Sequence, residues 1–109
     1  MIARIWRGAT RVEDADAYAD YMGGTGGEAL AATPGNRGVY MLRRIEGDRA
    51  EWIMLSLWED ERAVRAFAGD EISVAVFYPE DDRYLIERDL TASHFEVVDR
   101  WGAVADPVV

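Results

Sequence analysis

Apolar and polar positions are most clearly ordered in Glu51–Gly69, EWIMLSLWEDERAVRAFAG. In an extended chain Trp52, Met54, Ser56 and Trp58 point one way and Ile53, Leu55 and Leu57 the other. The run carries no charge, so the pattern predicts a strand over Trp52–Trp58 with both faces covered. At Asp60 the alternation gives way to helical spacing. Ala63, Val64 and Phe67 form the apolar stripe of a helix over Asp60–Ala68, with Asp60 as N-cap and Gly69 as the stop.

The rest of the chain extends this pattern. Ile2–Gly8 reads as a first strand, with Ile2, Arg4 and Trp6 on one face and Ala3, Ile5 and Arg7 on the other. An arginine on each face directs one of them to a cavity or an interface. Thr10–Met22 reads as a helix: Thr10 is the N-cap, Glu13 completes a capping box, and Val12, Ala15, Ala19 and Met22 form the buried stripe beside Tyr18. Gly23–Gly27, GGTGG, reads as a break and a flexible connector. It lacks the preceding strand and following lysine of a phosphate loop. Glu28–Ala32 is a short helical turn closed by Thr33-Pro34-Gly35.

Arg37–Glu46 and Arg49–Trp58 form a hairpin around the tight turn Gly47-Asp48. Ile72, Ala75 and Val76 predict a short helix over Asp70–Phe77. Pro79–Leu90 reads as a polar, acidic segment anchored by Tyr84, Leu85 and Ile86. Ser93–Arg100 is the last strand, with His94, Glu96, Val98 and Arg100 on one face and Phe95, Val97 and Asp99 on the other. Residues 1–101 make a single domain and 102–109 a C-terminal tail.

The predicted order is β-α-β-β-α-β, an α+β, ferredoxin-like fold: a four-stranded antiparallel sheet with helices on one face. The apolar second face of Trp52–Trp58 is then bare in a monomer. At roughly 25 cal/mol per Å², exposing several hundred Å² forfeits an amount comparable with the net stability of a small domain. A homodimer pairing sheet against sheet resolves this.

Charge narrows the partners. The 109 residues include 21 acidic and 12 basic side chains, for a net charge of -9. All the basic residues are arginine, and none is clustered to neutralise phosphates. The expectation is no nucleic acid and no membrane partner, with a cytoplasmic location, since the start MIARIW has no signal-peptide pattern. With no cysteine, a thiolate metal site and a cysteine nucleophile are excluded. The acidic runs Glu59-Asp60-Glu61 and Glu80-Asp81-Asp82 read as helix-start charge and a solvated loop, so no metal site is expected.

Three segments carry a resemblance to a known family: MLSLWEDERAVRAFAG (Met54–Gly69), PEDDRYL…HFEVVDR (Pro79–Arg100) and TPGNRGVYMLRR (Thr33–Arg44). The chain resembles the dimeric α+β barrel superfamily and, within it, the antibiotic biosynthesis monooxygenase-like proteins. The resemblance implies two subunits pairing their sheets into a barrel, each with a pocket between its own sheet and helices. It covers cofactor-independent monooxygenases of aromatic phenols, haem-degrading monooxygenases, and isomerases or decarboxylases of small aromatics.

The candidate chemistry follows. Trp58 ends the central strand where the resemblance implies a tryptophan beside the pocket, able to stack on a flat substrate. His94, the single histidine, is the candidate general base. Arg4, Trp6 and Arg43 suit an anionic or phenolic aromatic ligand by charge and cation–π contact. Trp52, Met54 and Tyr18 complete the candidate substrate-binding set. The haem-degrading branch places a histidine where this chain has Ile72–Phe77 and an asparagine where it has Trp6-Arg7-Gly8, two departures against haem chemistry. The expectation is therefore a cofactor-independent monooxygenase-like enzyme acting on a small aromatic molecule. The alternatives are a non-catalytic binding or interaction protein, and an isomerase or decarboxylase of a small aromatic acid.

Overall fold

The computed structural model describes residues 1–102. Strand β1 (Ile2–Arg11) runs antiparallel to β3 (Arg49–Trp58) along its whole length, from Ile2 opposite Trp58 to Arg11 opposite Arg49. β2 (Asn36–Glu46) joins β3 through a tight hairpin that pairs Glu46 with Arg49. Gly47 takes φ 60 in that turn, a conformation open to glycine at little cost.

The other edge of β1 is shared by two short strands. β4 (Leu85–Arg88) sets Arg88 opposite Gly8, and β5 (Ser93–Glu96) sets His94 opposite Arg4. Between them the chain leaves β1 and bonds instead to the segment before it: Ala75 N–H donates to Leu90 O at 3.0 Å, and Ala92 N–H to Ser73 O at 2.8 Å. The strand order β2-β3-β1-β4 is that of the ferredoxin-like fold.

Burial alternates along β3 as its sequence pattern predicts. Trp52, Met54, Ser56 and Trp58 are buried, whereas Ile53, Leu55 and Leu57 are half-buried. The buried set meets α1 (Ala15–Met22), α2 (Glu28–Ala32) and α3 (Glu61–Ala68), and with Tyr18, Met22, Leu30 and Val64 forms the core. Helix α3 has the ends its sequence predicts: Asp60 accepts from Ala63 N–H at 2.9 Å, and Gly69 closes it at φ 87. On the opposite face Ile5, Leu55 and Tyr40 align across the sheet, as do Ile53 and Leu42. Tyr40, Leu42 and nearby Phe95 are exposed, and no described element covers them.

Several local expectations are corrected. The first strand continues past Gly8 to Arg11, because the hairpin offers ladder partners as far as Arg49. Thr10 is therefore a strand residue, and its hydroxyl accepts from Trp52 Nε1 at 3.1 Å instead of capping a helix. α1 starts only at Ala15, after a tight turn over Val12–Asp14, with no side-chain cap.

Gly23–Gly27 does not break the helix. It forms a wide π-type turn linking α1 to α2, held partly by Thr25 Oγ1 donating to Tyr21 O at 2.7 Å. A Cβ on Gly26 would lie 2.7 Å from Met22 Cε, at the end of a flexible side chain, and 3.2 Å from the Tyr78 ring. Asp70–Phe77 contains no helix: Val74 N–H closes a single turn on Glu71 O at 3.0 Å, and the hydrogen bonds linking Ser73 and Ala75 to Ala92 and Leu90 take the chain out of it. The Glu80-Asp81-Asp82 run is not a solvated loop: it leads into α4 (Asp81–Tyr84), with Asp81 buried, and Pro79–Leu90 goes on into β4. The last strand stops at Glu96, where its partner β1 begins at Ile2. The predicted tail lies, from residue 103 onward, outside the described residues.

Candidate functional site

A cavity of about 40 Å³ lies between the sheet and the helices. Its floor is Arg4, Trp6, Met54 and Ser56 from the helix-facing side of the sheet. Tyr18 and Met22 of α1, Gly26 of the π-type turn and Leu30 of α2 form one wall. Phe67 of α3, the Val76-Phe77-Tyr78 segment and Asp81 close the other. The strand period places the floor residues together: Arg4 pairs with Ser56, and Trp6 with Met54, so all four share one face.

Apart from Ser56, whose hydroxyl accepts from Trp58 Nε1, the lining is mostly apolar and aromatic, with charged or unpaired polar groups at two places. The first is Arg4, only 5% exposed. Its Nη1 donates to Ile72 O at 2.6 Å and contacts His94 Nε2 at 2.9 Å, while Nη2 reaches Val74 O at 3.4 Å. Its guanidinium also stands 5.8 Å from the centre of the Phe67 ring. Among the described residues no carboxylate pairs with it. A buried cation held by neutral groups retains unspent attraction for an anion. Burial lowers its pKa, though a guanidinium remains charged.

The second place holds Tyr18 and Asp81, 1% and 3% exposed. Asp81 Oδ2 accepts from Tyr78 N–H at 2.6 Å, but Oδ1 has no partner, nor does the Tyr18 hydroxyl. Burial first, then the charge of Asp81, raises the Tyr18 pKa, so the phenol stays protonated and available as a donor. Burial and Asp81 likewise raise Tyr78, while Arg4 pulls it down, so Tyr78 feels both polar groups.

The model of the antibiotic biosynthesis monooxygenase family matches residues 1–75. The chain belongs to that family. Solved structures share its fold. A Bacillus cereus protein assigned as an antibiotic biosynthesis monooxygenase superposes with a TM-score of 0.66 at 16% identity, covering 94% of this chain and 97% of that one. The haem-degrader MhuD of Mycobacterium tuberculosis, solved with two haems in its active site, gives 0.58 at 19% identity, covering 94% and 100%. A mutant of MhuD with two manganese protoporphyrin IX per active site gives 0.59 at 19%, with the same coverage. No curated protein matches the sequence.

On this family fold the residues singled out from sequence separate into three groups. Arg4, Trp6, Met54 and Tyr18 come together on the cavity. Trp58 and Trp52 are buried behind it. Trp58 Nε1 donates to Ser56 Oγ at 2.9 Å and its ring lies 5.8 Å from Phe67, so it touches two lining residues without lining the cavity. Trp52 packs on Tyr18 at 5.1 Å. His94 sits behind Arg4, and Arg43 lies on the exposed surface, paired with Asp16 at 3.0 Å and over the Trp52 ring. Burial first, then the charge of Arg4, lowers the His94 pKa below 6.5, against the pull of Glu61.

Sequence reasoning missed Asp81, Phe77 and Tyr78. One signal was present: Asp81 and Tyr84 are spaced i, i+3, so the single turn of α4 turns them the same way. Leu85 is buried and Tyr84 half-buried, and Asp81 is carried inward with them.

Proposed function

We propose that this chain is a small cofactor-independent monooxygenase acting on a phenolic aromatic molecule bound between sheet and helices. The observation that carries this is Arg4: a buried guanidinium without a carboxylate, set in an aromatic cavity. Such a site favours an aromatic phenolate over the neutral phenol. A phenolate is the electron-rich form that can reduce O₂ without a metal or flavin.

In the reaction the ionised ring passes one electron to O₂, and the resulting radical pair joins into a carbon–oxygen bond. The peroxide then breaks. One oxygen stays on the ring as a quinone carbonyl and the other leaves as water with the phenolic proton and the ring C–H proton. The substrate supplies all the electrons. In this reading Arg4 holds the oxyanion, Trp6 and Phe67 flank the ring, and His94 acts through Arg4 by accepting its N–H.

Haem does not fit these residues. Ile72–Phe77 offers no histidine, and the single histidine commits Nε2 to Arg4. At about 40 Å³ the cavity holds only a few water molecules. Any ring-sized ligand requires the wall to yield. Val76–Tyr78 is the part best suited to do so, lying outside the helices and strands.

The same small volume favours a second reading, a binding or interaction protein without turnover. The oxygen electrode separates the two, using hydroxylated anthrones and quinols. The enzyme reading expects uptake matched by quinone formation, and its loss in Arg4→Met. Binding with no uptake above the buffer rate favours the second reading.

The outer sheet face supports a homodimer. Ile5, Ile53, Leu55 and Leu57 form its centre, and the exposed Leu42 and Phe95 extend it. Pairing two such faces leaves the cavity free on the opposite side of each sheet.

A further inference from the structure

We propose that the gap between Tyr18 and Asp81 is a subsite for a hydroxyl group, so that the ligand carries a hydrogen-bond donor remote from the oxygen held by Arg4. The inference rests on the reading of the cavity as a site for a small aromatic molecule, and it narrows that molecule to a diphenol.

Buried polar side chains are nearly always paired, and each exception calls for an explanation. Here two exceptions line one cavity: the Tyr18 hydroxyl and Asp81 Oδ1. They are complementary, one a donor and one an acceptor, yet they do not bond to each other. A hydroxyl placed between them accepts from Tyr18 and donates to Asp81, satisfying both at once. Asp81 Oδ2 is fixed by Tyr78 N–H at 2.6 Å, which leaves Oδ1 as the oxygen free to accept, on a carboxylate that the Tyr21 hydroxyl also approaches.

The two polar places then make opposite demands. Arg4 presents only donors and calls for an acceptor or an anion. Asp81 calls for a donor. The span between them is walled by Trp6, Met54, Phe67 and Phe77, which suits fused aromatic rings. A monophenol satisfies one end only, and a carboxylate at the Asp81 end is repelled.

The test compares naphthol with a naphthalenediol whose hydroxyls lie on opposite rings, by calorimetric titration of the full chain. The wild type is expected to bind the diol about tenfold or more tightly than naphthol. Asp81→Asn keeps an oxygen for Tyr78 N–H but replaces the acceptor charge, and is expected to bring the ratio close to one. Tyr18→Phe, which breaks no existing hydrogen bond, is expected to reduce the ratio in the same direction. An equal affinity for both compounds in the wild type, as a bridging water would give, overturns the proposal. So does a ratio unchanged in both variants, or binding of neither compound. Oxygen uptake is independent of this readout: a preference without uptake keeps the subsite and removes the oxygenase, and uptake without a preference does the reverse.

Discussion

Arg4 and His94 face each other across the β1–β5 ladder, with Arg4 Nη1 2.9 Å from His94 Nε2. A guanidinium can only donate, so Nε2 accepts and the imidazole is neutral with its proton on Nδ1. This gives the protein a defined response to acid. The folded His94 pKa lies below 6.5, so its contribution to stability is complete above that value. As pH falls below it, the unfolded chain binds a proton that the folded chain resists, and the contribution is lost toward the lowered folded pKa. Urea unfolding at about pH 7.5 and about pH 5 should show a decrease that His94→Gln reduces. The glutamine side chain still offers Arg4 an acceptor but does not titrate. The same decrease in both proteins is the opposite result.

Tyr18 is expected to trade stability for binding. Its hydroxyl is buried without a partner, a situation that costs about 1–3 kcal/mol. Tyr18→Phe removes the hydroxyl and keeps the ring contacts with Trp52 and Tyr84. The variant should unfold at higher urea, by about 1 kcal/mol. A less stable variant would mean that the hydroxyl is paired in solution.

Trp58 has a structural duty that truncation should expose. It is completely buried, donates to Ser56 and packs on Phe67. Trp58→Ala should cost about 3–5 kcal/mol through the cavity it leaves. Trp58→Phe loses the hydrogen bond but keeps an aromatic ring, and should cost about 1 kcal/mol. Unchanged stability together with lost ligand binding would instead make Trp58 a site residue.

The outer sheet face predicts self-association. Leu55 stands at its centre, opposite Ile5 on one side and Tyr40 on the other. Leu55→Glu should shift the mass measured by light scattering from dimer to monomer. A wild-type monomer at micromolar concentration contradicts the proposed pairing.

The fold was legible wherever periodicity was strong. The two-sided apolar run at Trp52–Trp58, the Gly47-Asp48 turn and the Asp60 cap each announce themselves locally, and together they specify most of the ferredoxin-like order. Thr10 misleads because capping and strand signals overlap in a β-branched hydroxyl residue, and only the distant partner Ala50 decides between them. Asp70–Phe77 misleads for a similar reason: its helical spacing is outweighed by hydrogen bonds to Leu90 and Ala92, a pairing that local spacing does not encode. The cavity follows the same division. Arg4, Trp6 and Met54 share a face by strand alternation and could be grouped in advance. Asp81 could not easily be, since an acidic run normally means solvent, and its inward turn depends on Tyr84 and Leu85 finding the core.

The central claim is that Arg4 makes this cavity a site for an aromatic phenolate. Its most direct test is an ultraviolet titration of naphthol bound to the protein, following phenolate absorbance against pH. The account predicts that bound naphthol ionises at lower pH than free naphthol, and that Arg4→Met abolishes the shift. Naphthol that ionises at the same pH, bound or free, would contradict it.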